Sequence, residues 1–139
     1  MFQHILVPTD LTEKSLRAFE IAVKMAASER GKVTLLHVIE VIADTDEEEF
    51  ENFYEKLRNR AQKEMEEIAD KHGNQKLMID KEIVFGHRVR EIINFARENA
   101  IDLIVLSSHK IDRTNLAEGW GTISYKVGIL SDCPVMMVK

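Results

Sequence analysis

Two polar segments of the sequence hold residue types that could bind a small charged ligand. Thr9-Asp10 follows the apolar run 5–7, and SSHKIDRTNLAEGWGT at 107–122 follows the apolar run 103–106. A carboxylate such as that of Asp10 accepts hydrogen bonds from amino and hydroxyl groups. Glycines at the start of a helix let backbone amides approach a phosphate. Both segments are therefore candidate binding elements.

Asp10 has two interpretations that the sequence alone leaves open. In the first, Asp10 or Thr12 caps the next helix by accepting hydrogen bonds from its first amides. In the second, the carboxylate of Asp10 accepts a hydrogen bond from a ligand. Both interpretations require a residue between a strand and a helix, so the pattern does not separate them.

The glycine turn Gly119-Trp120-Gly121-Thr122 also has two interpretations. It is either a tight turn with Thr122 near a helix N-cap, or an anion site. In the anion site, the amides of Thr122 and Ile123 and the helix dipole would hold a phosphate. A turn with two glycines is weak evidence by itself.

The histidines and the cysteine do not form an evident reactive group. His37 lies inside an apolar run, which favours a packed, hydrogen-bonded side chain over a ligand-binding one. His109 follows a predicted strand end and is either a ligand contact or a loop residue. Cys133 precedes Pro134 and an apolar run, which favours a small packing residue over a nucleophile.

Composition and missing motifs exclude several classes of protein. The sequence has no GxGxxG after its first apolar run, no GxxxxGK[ST], no HExxH and no Cys/His metal spacing. A net charge of −5 argues against nonspecific nucleic-acid binding, which needs a positive surface. No stretch approaches the roughly 18–20 apolar residues that span a bilayer, and no secretory signal is recognisable. The single cysteine excludes an internal disulfide, consistent with a cytoplasmic location.

Apolar runs and helical stripes alternate along the 139 residues, which predicts one domain over 1–139. Continuous apolar runs predict buried strands at 5–7, 33–39, 103–106 and Val135–Val138. Charged residues interrupt the apolar residues of Met78–Phe85, which predicts a strand nearer the sheet edge. Apolar spacings of three and four predict helices over 12–30, 46–72, 88–99 and 122–130. Gly31 is the predicted C-cap of the first helix, and residues 45–48 have the form of a capping box before the second.

This alternation predicts an α/β fold with a parallel sheet and helices on both faces. In such sheets, ligands bind beyond the carboxyl ends of the strands, where the strand order reverses. The loops after the first and fourth strands are therefore the expected binding loops.

Four segments together resemble the universal stress protein family. They are HILVPTDLTEKSLRAFEIAVKMA, VTLLHVIE, GHRVREIINFARENAIDLIVLSSH and GTISYKVGILSDCPVMMVK. They occur in the family's order and cover essentially the whole chain. The resemblance implies a doubly wound, five-stranded parallel sheet of order 3-2-1-4-5. It also implies a homodimer paired through the last strand, residues 135–138.

One branch of the family binds ATP and another does not. In the binding branch, the first loop and second strand hold adenine and ribose, and a glycine motif holds the phosphates. The resemblance implies a nucleotide, with a Mg ion, at positions that match this site: Pro8, Thr9, Asp10, Val38, Leu106, Ser107, Gly121, Thr122 and Ile123.

The chain departs from the binding branch in the phosphate motif. The motif of the binding branch resembles Gly-x2-Gly-x9-Gly-Ser/Thr. In this sequence, Ser107 and Lys110 replace the first two glycines, and the segment between Lys110 and Gly121 is one residue longer. A lysine cannot replace a glycine that needs positive φ. Lys110 and Arg113 nevertheless bring two cations to the loop, and Gly119 adds flexibility.

Two functions follow from these observations. The first is a stress-related regulatory protein that binds an adenine nucleotide at an altered phosphate loop, without efficient catalysis, and acts on a regulatory protein partner not identified by the sequence. The second is a dimeric adaptor of the same fold that binds no nucleotide. No residue is an evident water-activating base, so we do not expect an efficient enzyme.

Overall fold

The computed structural model describes residues 1–41, 47–73, 77–108 and 122–139. Its strands are β1 (His4–Pro8), β2 (Lys32–Ile39), β3 (Met78–Phe85), β4 (Leu103–Ser107) and β5 (Val135–Val138). Its helices are α1 (Glu13–Ser28), α2 (Glu47–Asp70), α3 (Arg88–Glu98) and α4 (Ile123–Leu130). All five predicted strands and four predicted helices are present, with ends that differ from the predicted ones by at most two residues. The predicted capping box before α2 includes residues outside the described part of the chain.

The strands form one parallel sheet of order β3-β2-β1-β4-β5, as the resemblance implied. β3 lies at an edge, which confirms the prediction from the charged residues in this strand. The reversal of strand order falls between β1 and β4, so the loops that follow these two strands leave the sheet side by side.

Two apolar cores cover the two faces of the sheet. On one face, α1 and α2 pack Phe19, Val23 and Met65 against β1, β2 and β4. On the other face, α3 and α4 pack Ile92 and Val127 against the same strands. Helices therefore lie on both faces, as expected for strands that are apolar on both sides.

The end of α1 differs from the sequence prediction. Arg30, and not Gly31, has the left-handed conformation, with φ of 51°. The amide of Gly31 donates to the carbonyl of Ala26 at 2.9 Å. A Cβ on Gly31 would lie 2.8 Å from the carbonyl oxygen of Gln3. The glycine is required here because the backbone passes close to the start of β1. None of the described helices is both long and apolar enough to cross a membrane.

Candidate functional site

A cleft of about 340 Å³ opens at the carboxyl ends of β1, β2 and β4. Its floor is apolar and its rim carries hydroxyl groups, one acid and one base. The lining residues are Pro8, Thr9, Asp10, Leu36, Val38, Arg88, Ile92, Leu106, Ser107, Thr122, Ile123 and Ser124.

The structure brings the predicted residues of both binding loops to this cleft. Those that line it are Pro8, Thr9, Asp10, Val38, Leu106, Ser107, Thr122 and Ile123. The remaining predicted site residues lie outside the described part of the chain: His109, Lys110, Arg113, Gly119 and Gly121.

The turn after β1 is built by short-range hydrogen bonds. The hydroxyl of Thr9 accepts from the amide of Leu11 at 3.0 Å and lies 2.7 Å from that of Ser15. Leu11 has φ of 67°, a conformation that non-glycine residues seldom adopt. Such backbone conformations persist where the surrounding structure over-determines them. The turn therefore holds Asp10 at a defined place on the rim.

The carboxylate of Asp10 does not cap α1, which was one of the two interpretations that the sequence left open. Its Oδ1 accepts from the amide of Thr12 at 3.0 Å and from the hydroxyl of Thr12 at 2.6 Å. Thr12 is the N-cap residue, yet its side chain makes no capping hydrogen bond. The carboxylate thus closes a turn before the helix and also lines the cleft.

Partial burial by itself raises the pKa of Asp10, but hydrogen bonds from Thr12 and Ser15 outweigh it and lower the pKa below its ordinary value. Asp10 is therefore ionised at neutral pH and presents a hydrogen-bond acceptor to the cleft. This geometry is compatible with the ligand-binding interpretation, and it accounts for the turn as well.

His37 is a packed, hydrogen-bonded histidine, as its apolar surroundings predicted. Its Nδ1 lies 2.9 Å from the carbonyl oxygen of Thr9 and must donate to it, because a carbonyl only accepts. The ring lines a second cavity of about 430 Å³ beside the first. The cavities share Asp10, Val38 and Arg88 as a common wall.

Thr122 and Ser124, at the start of α4, bring hydroxyl groups to the cleft. The Thr122 hydroxyl accepts from the amide of Tyr125 at 3.4 Å, so Thr122 is an N-cap, as one interpretation of the sequence had it. Ser124 donates to Ser108 at 3.4 Å, and the Nζ of Lys139 donates to the same Ser108 hydroxyl at 3.3 Å. Both serines are 5% exposed. The start of α4 therefore supplies neutral hydroxyls to the cleft.

Four residues that line the cleft were missed by the sequence analysis: Leu36, Arg88, Ile92 and Ser124. Leu36 and Ile92 occupy positions whose apolar pattern predicts core residues, and both belong to the core on that face of the sheet as well as lining the cleft. Arg88 is the first residue of α3, at the carboxyl end of the sheet. That position was a usable signal, because ligands in this architecture bind beyond the strand ends.

The lining suits a planar, partly apolar ligand with polar substituents. Leu36, Val38 and Leu106 supply apolar surface for a flat ring, while Asp10 and the hydroxyls of Thr122 and Ser124 supply polar partners. Within the described ranges, no group of three or more His, Cys, Asp or Glu side chains could hold a metal ion.

A parallel sheet of this order, with helices on both faces and a cleft where the strand order reverses, defines a doubly wound α/β protein. A model of the universal stress protein family matches residues 1–139, and the chain belongs to this family. The chain is 31% identical over 150 residues to universal stress protein YxiE of Bacillus subtilis, with complete coverage of both sequences. It is 30% identical over 157 residues to universal stress protein MJ0577 of Methanocaldococcus jannaschii, covering all of this chain and 96% of the relative.

Solved structures show the same fold. The structure of MJ0577 superposes with a TM-score of 0.78 at 34% identity, over 100% of this chain and 96% of that one. A universal stress protein in complex with cAMP superposes with a TM-score of 0.74 at 20% identity, over 99% and 97% of the two chains. An Arabidopsis thaliana family protein with AMP bound has a TM-score of 0.68 at 19% identity, over 99% and 91%. These last two identities establish the fold alone.

Proposed function

We propose that this chain is a regulatory protein that binds an adenine nucleotide in the cleft at the carboxyl ends of β1, β2 and β4. The observation that carries the proposal is the convergence of Asp10, Val38 and Thr122 on one cavity of about 340 Å³. Two proteins of this fold are described as complexes with cAMP and AMP, which supports an adenine nucleotide as the ligand. The nucleotide would bias the surface that a regulatory partner recognises.

Each part of the cleft suits one part of a nucleotide. The apolar surface of Leu36, Val38 and Leu106 would pack against the base. Asp10 would accept from a ribose hydroxyl or the base amino group. Thr122 and Ser124, at the start of α4, would face the phosphates, where the helix dipole favours negative charge. A Mg ion would bind through those phosphates.

The same geometry argues against efficient hydrolysis. Two hydrogen bonds from Thr12 hold Asp10 ionised with a lowered pKa, which makes it a weak base. His37 is bonded through Nδ1 to the Thr9 carbonyl and lines the neighbouring cavity. No other acid and no histidine lines the main cleft among the described residues. We therefore propose binding with slow or no turnover.

Calorimetric titration with ATP, ADP and AMP at millimolar concentration tests this proposal. The wild type should bind at least one nucleotide, and Asp10→Ala should bind it more weakly because the cleft loses its carboxylate acceptor. Asp70→Ala, which removes an exposed acid at the end of α2, is the matched control and should bind like the wild type. No heat of binding and no rise in melting temperature with any nucleotide would overturn the proposal, since a ligand of the native state must stabilise it.

That negative outcome would support the second function, a dimeric adaptor without a nucleotide. The observation that favours it is the replacement of two motif glycines by Ser107 and Lys110. Melting temperature and mass would then be unchanged by added nucleotide.

We also propose that the chain forms a homodimer through the free edge of β5. The two edge strands of the sheet differ in character. β3 carries Asp80, Lys81 and Glu82 at its centre, and charge of this kind discourages pairing between edges. β5 reads VMMV, with Met136 36% exposed. Two large apolar side chains at the end of α4, the element that precedes β5 in the chain, are exposed, Ile129 at 68% and Leu130 at 54%. Pairing β5 with its twofold copy would cover this surface.

Light scattering tests the dimer. Met136→Lys should shift the mass toward that of a monomer, because it places a charge on the proposed interface. Met78→Lys makes the same change on the opposite edge strand, where the side chain is 64% exposed, and should leave the mass unchanged. An unchanged dimer in Met136→Lys, or an equal effect of both variants, would count against pairing through β5.

We propose a cytoplasmic location, supported by the single cysteine of the chain. Fractionation of the source cells tests it, and recovery of the protein outside the cytoplasm would overturn it.

A further inference from the structure

The wall between the two cavities is formed in part by Arg88, at the first position of α3. Among the described residues that line the main cleft, Arg88 is the sole basic side chain. Neither the family resemblance nor the sequence pattern assigned it a role. Its position between the cavities makes it accessible to a ligand in the main cleft.

Arg88 has one weak partner. Its Nε lies 3.8 Å from Oε1 of Glu40, and the side chains are 42% and 51% exposed. A pair of this length and exposure contributes little, because water competes for both charges. Within the part of the chain that the structure describes, the guanidinium has no other hydrogen-bond or ion-pair partner. A guanidinium carries five N–H donors, so most of its capacity is available to a ligand.

We propose that Arg88 is a specificity-determining residue that binds the anionic part of the nucleotide, and that Glu40 competes with the ligand for it. This inference rests on the proposed nucleotide site. Without ligand, Glu40 holds the guanidinium at the rim. A bound phosphate replaces Glu40 as the partner of Arg88, because a charge-assisted contact between guanidinium and phosphate is stronger than the long ion pair with Glu40. The site therefore prefers nucleotides to uncharged nucleosides.

A double-mutant cycle with AMP and adenosine as probes tests the competition. Arg88→Gln should weaken AMP binding by about tenfold and change adenosine binding by less than about twofold, since only AMP carries the charge. Glu40→Gln should tighten AMP binding by about two- to fivefold, because the free state no longer holds Arg88 in a pair. In the Arg88→Gln background, Glu40→Gln should have no effect, because the competition needs both residues.

Matched variants control for simple changes of charge. Arg90→Gln removes an exposed cation from the same turn of α3, and Glu98→Gln removes an exposed acid from its end. Both should bind AMP within about twofold of the wild type, as expected for exposed charges away from the cleft. Arg88→Lys should retain part of the AMP preference, since lysine keeps the charge and loses the planar fork.

The outcomes separate this inference from the proposed function. If the wild type binds neither AMP nor adenosine, both fail together. If the wild type binds AMP and Arg88→Gln binds it equally well, the inference alone fails. If Arg88→Gln loses affinity for AMP and adenosine equally, Arg88 contacts the base or the ribose and not the phosphate, and the proposed anionic role is overturned. A Glu40→Gln effect that persists without Arg88 would overturn the competition.

Discussion

Asp10 and Thr12 are joined by two hydrogen bonds to a single carboxylate oxygen. Oδ1 of Asp10 accepts from the amide of Thr12 at 3.0 Å and from its hydroxyl at 2.6 Å. The pairing holds the turn between β1 and α1 and fixes one wall of the candidate site. The same acid therefore contributes to stability and, by our proposal, to binding.

Asp10→Asn should lower the stability of the protein at neutral pH and should weaken the dependence of that stability on pH. The pKa of Asp10 in the folded state is below its ordinary value of 3.8. The stabilisation is therefore fully present above pH 3.8 and is lost as the pH falls through the folded pKa. The melting temperature of the wild type should exceed that of Asp10→Asn at pH 6, and the gap should narrow below pH 3.8.

Thermal unfolding followed by circular dichroism from pH 7 to pH 3 measures this gap. Asp70→Asn is the control, since Asp70 is an exposed acid at the end of α2. A gap between the melting temperatures of the wild type and Asp10→Asn that does not narrow below pH 3.8 would contradict an ionised, hydrogen-bonded Asp10.

Thr122→Ala should destabilise the protein by about 0.5–1 kcal/mol, the lower part of the range for N-cap residues. The hydroxyl accepts from the amide of Tyr125 at the start of α4, and the long distance of 3.4 Å indicates a modest contribution. Urea unfolding measures the change, and Thr122→Ser should retain most of the stability. Equal losses in the two variants would show that the methyl group, and not the hydroxyl, is what stabilises the helix start.

Gly31→Ala should destabilise the protein by about 1–3 kcal/mol, as overpacking does. The new Cβ would lie 2.8 Å from the backbone oxygen of Gln3, which cannot rotate away. Gly73→Ala is a matched control, because its Cβ would meet its nearest atom at an ordinary 3.5 Å. The control should change stability by less than about 0.5 kcal/mol in the same urea experiment. Similar losses at both glycines would refute the close approach as the cause.

Asp132→Asn should cost less than about 1 kcal/mol, although its ion pair with Arg97 is short. Nε of Arg97 lies 2.6 Å from Oδ2 of Asp132, but the side chains are 58% and 69% exposed. Water and salt screen both charges, so the difference in melting temperature from the wild type should shrink at about 1 M salt. A large loss that does not depend on salt would show that Asp132 acts through something other than this pair.

The fold was predictable from the sequence because its signals are local. The apolar run 33–39 is continuous because β2 is covered on both faces, and this pattern is readable without knowing the neighbours. Met78–Phe85 tolerates three charged residues at its centre because β3 lies at the edge of the sheet. The strand order 3-2-1-4-5 came from the family resemblance, and the structure agrees with it.

The sequence by itself determined the strands, the helices and which loops border the cleft. The tertiary structure decided which residues from different elements contact one another. The contact that makes Gly31 necessary is with Gln3, and the wall that Arg88 shares with Asp10 joins residues far apart in the chain. The partner of the Asp10 carboxylate was likewise left open by the sequence, because both interpretations satisfy the same pattern. Side-chain periodicity reports burial within one element. It does not report which backbone or side chain from another element comes within contact distance, since that depends on how strands and helices pack.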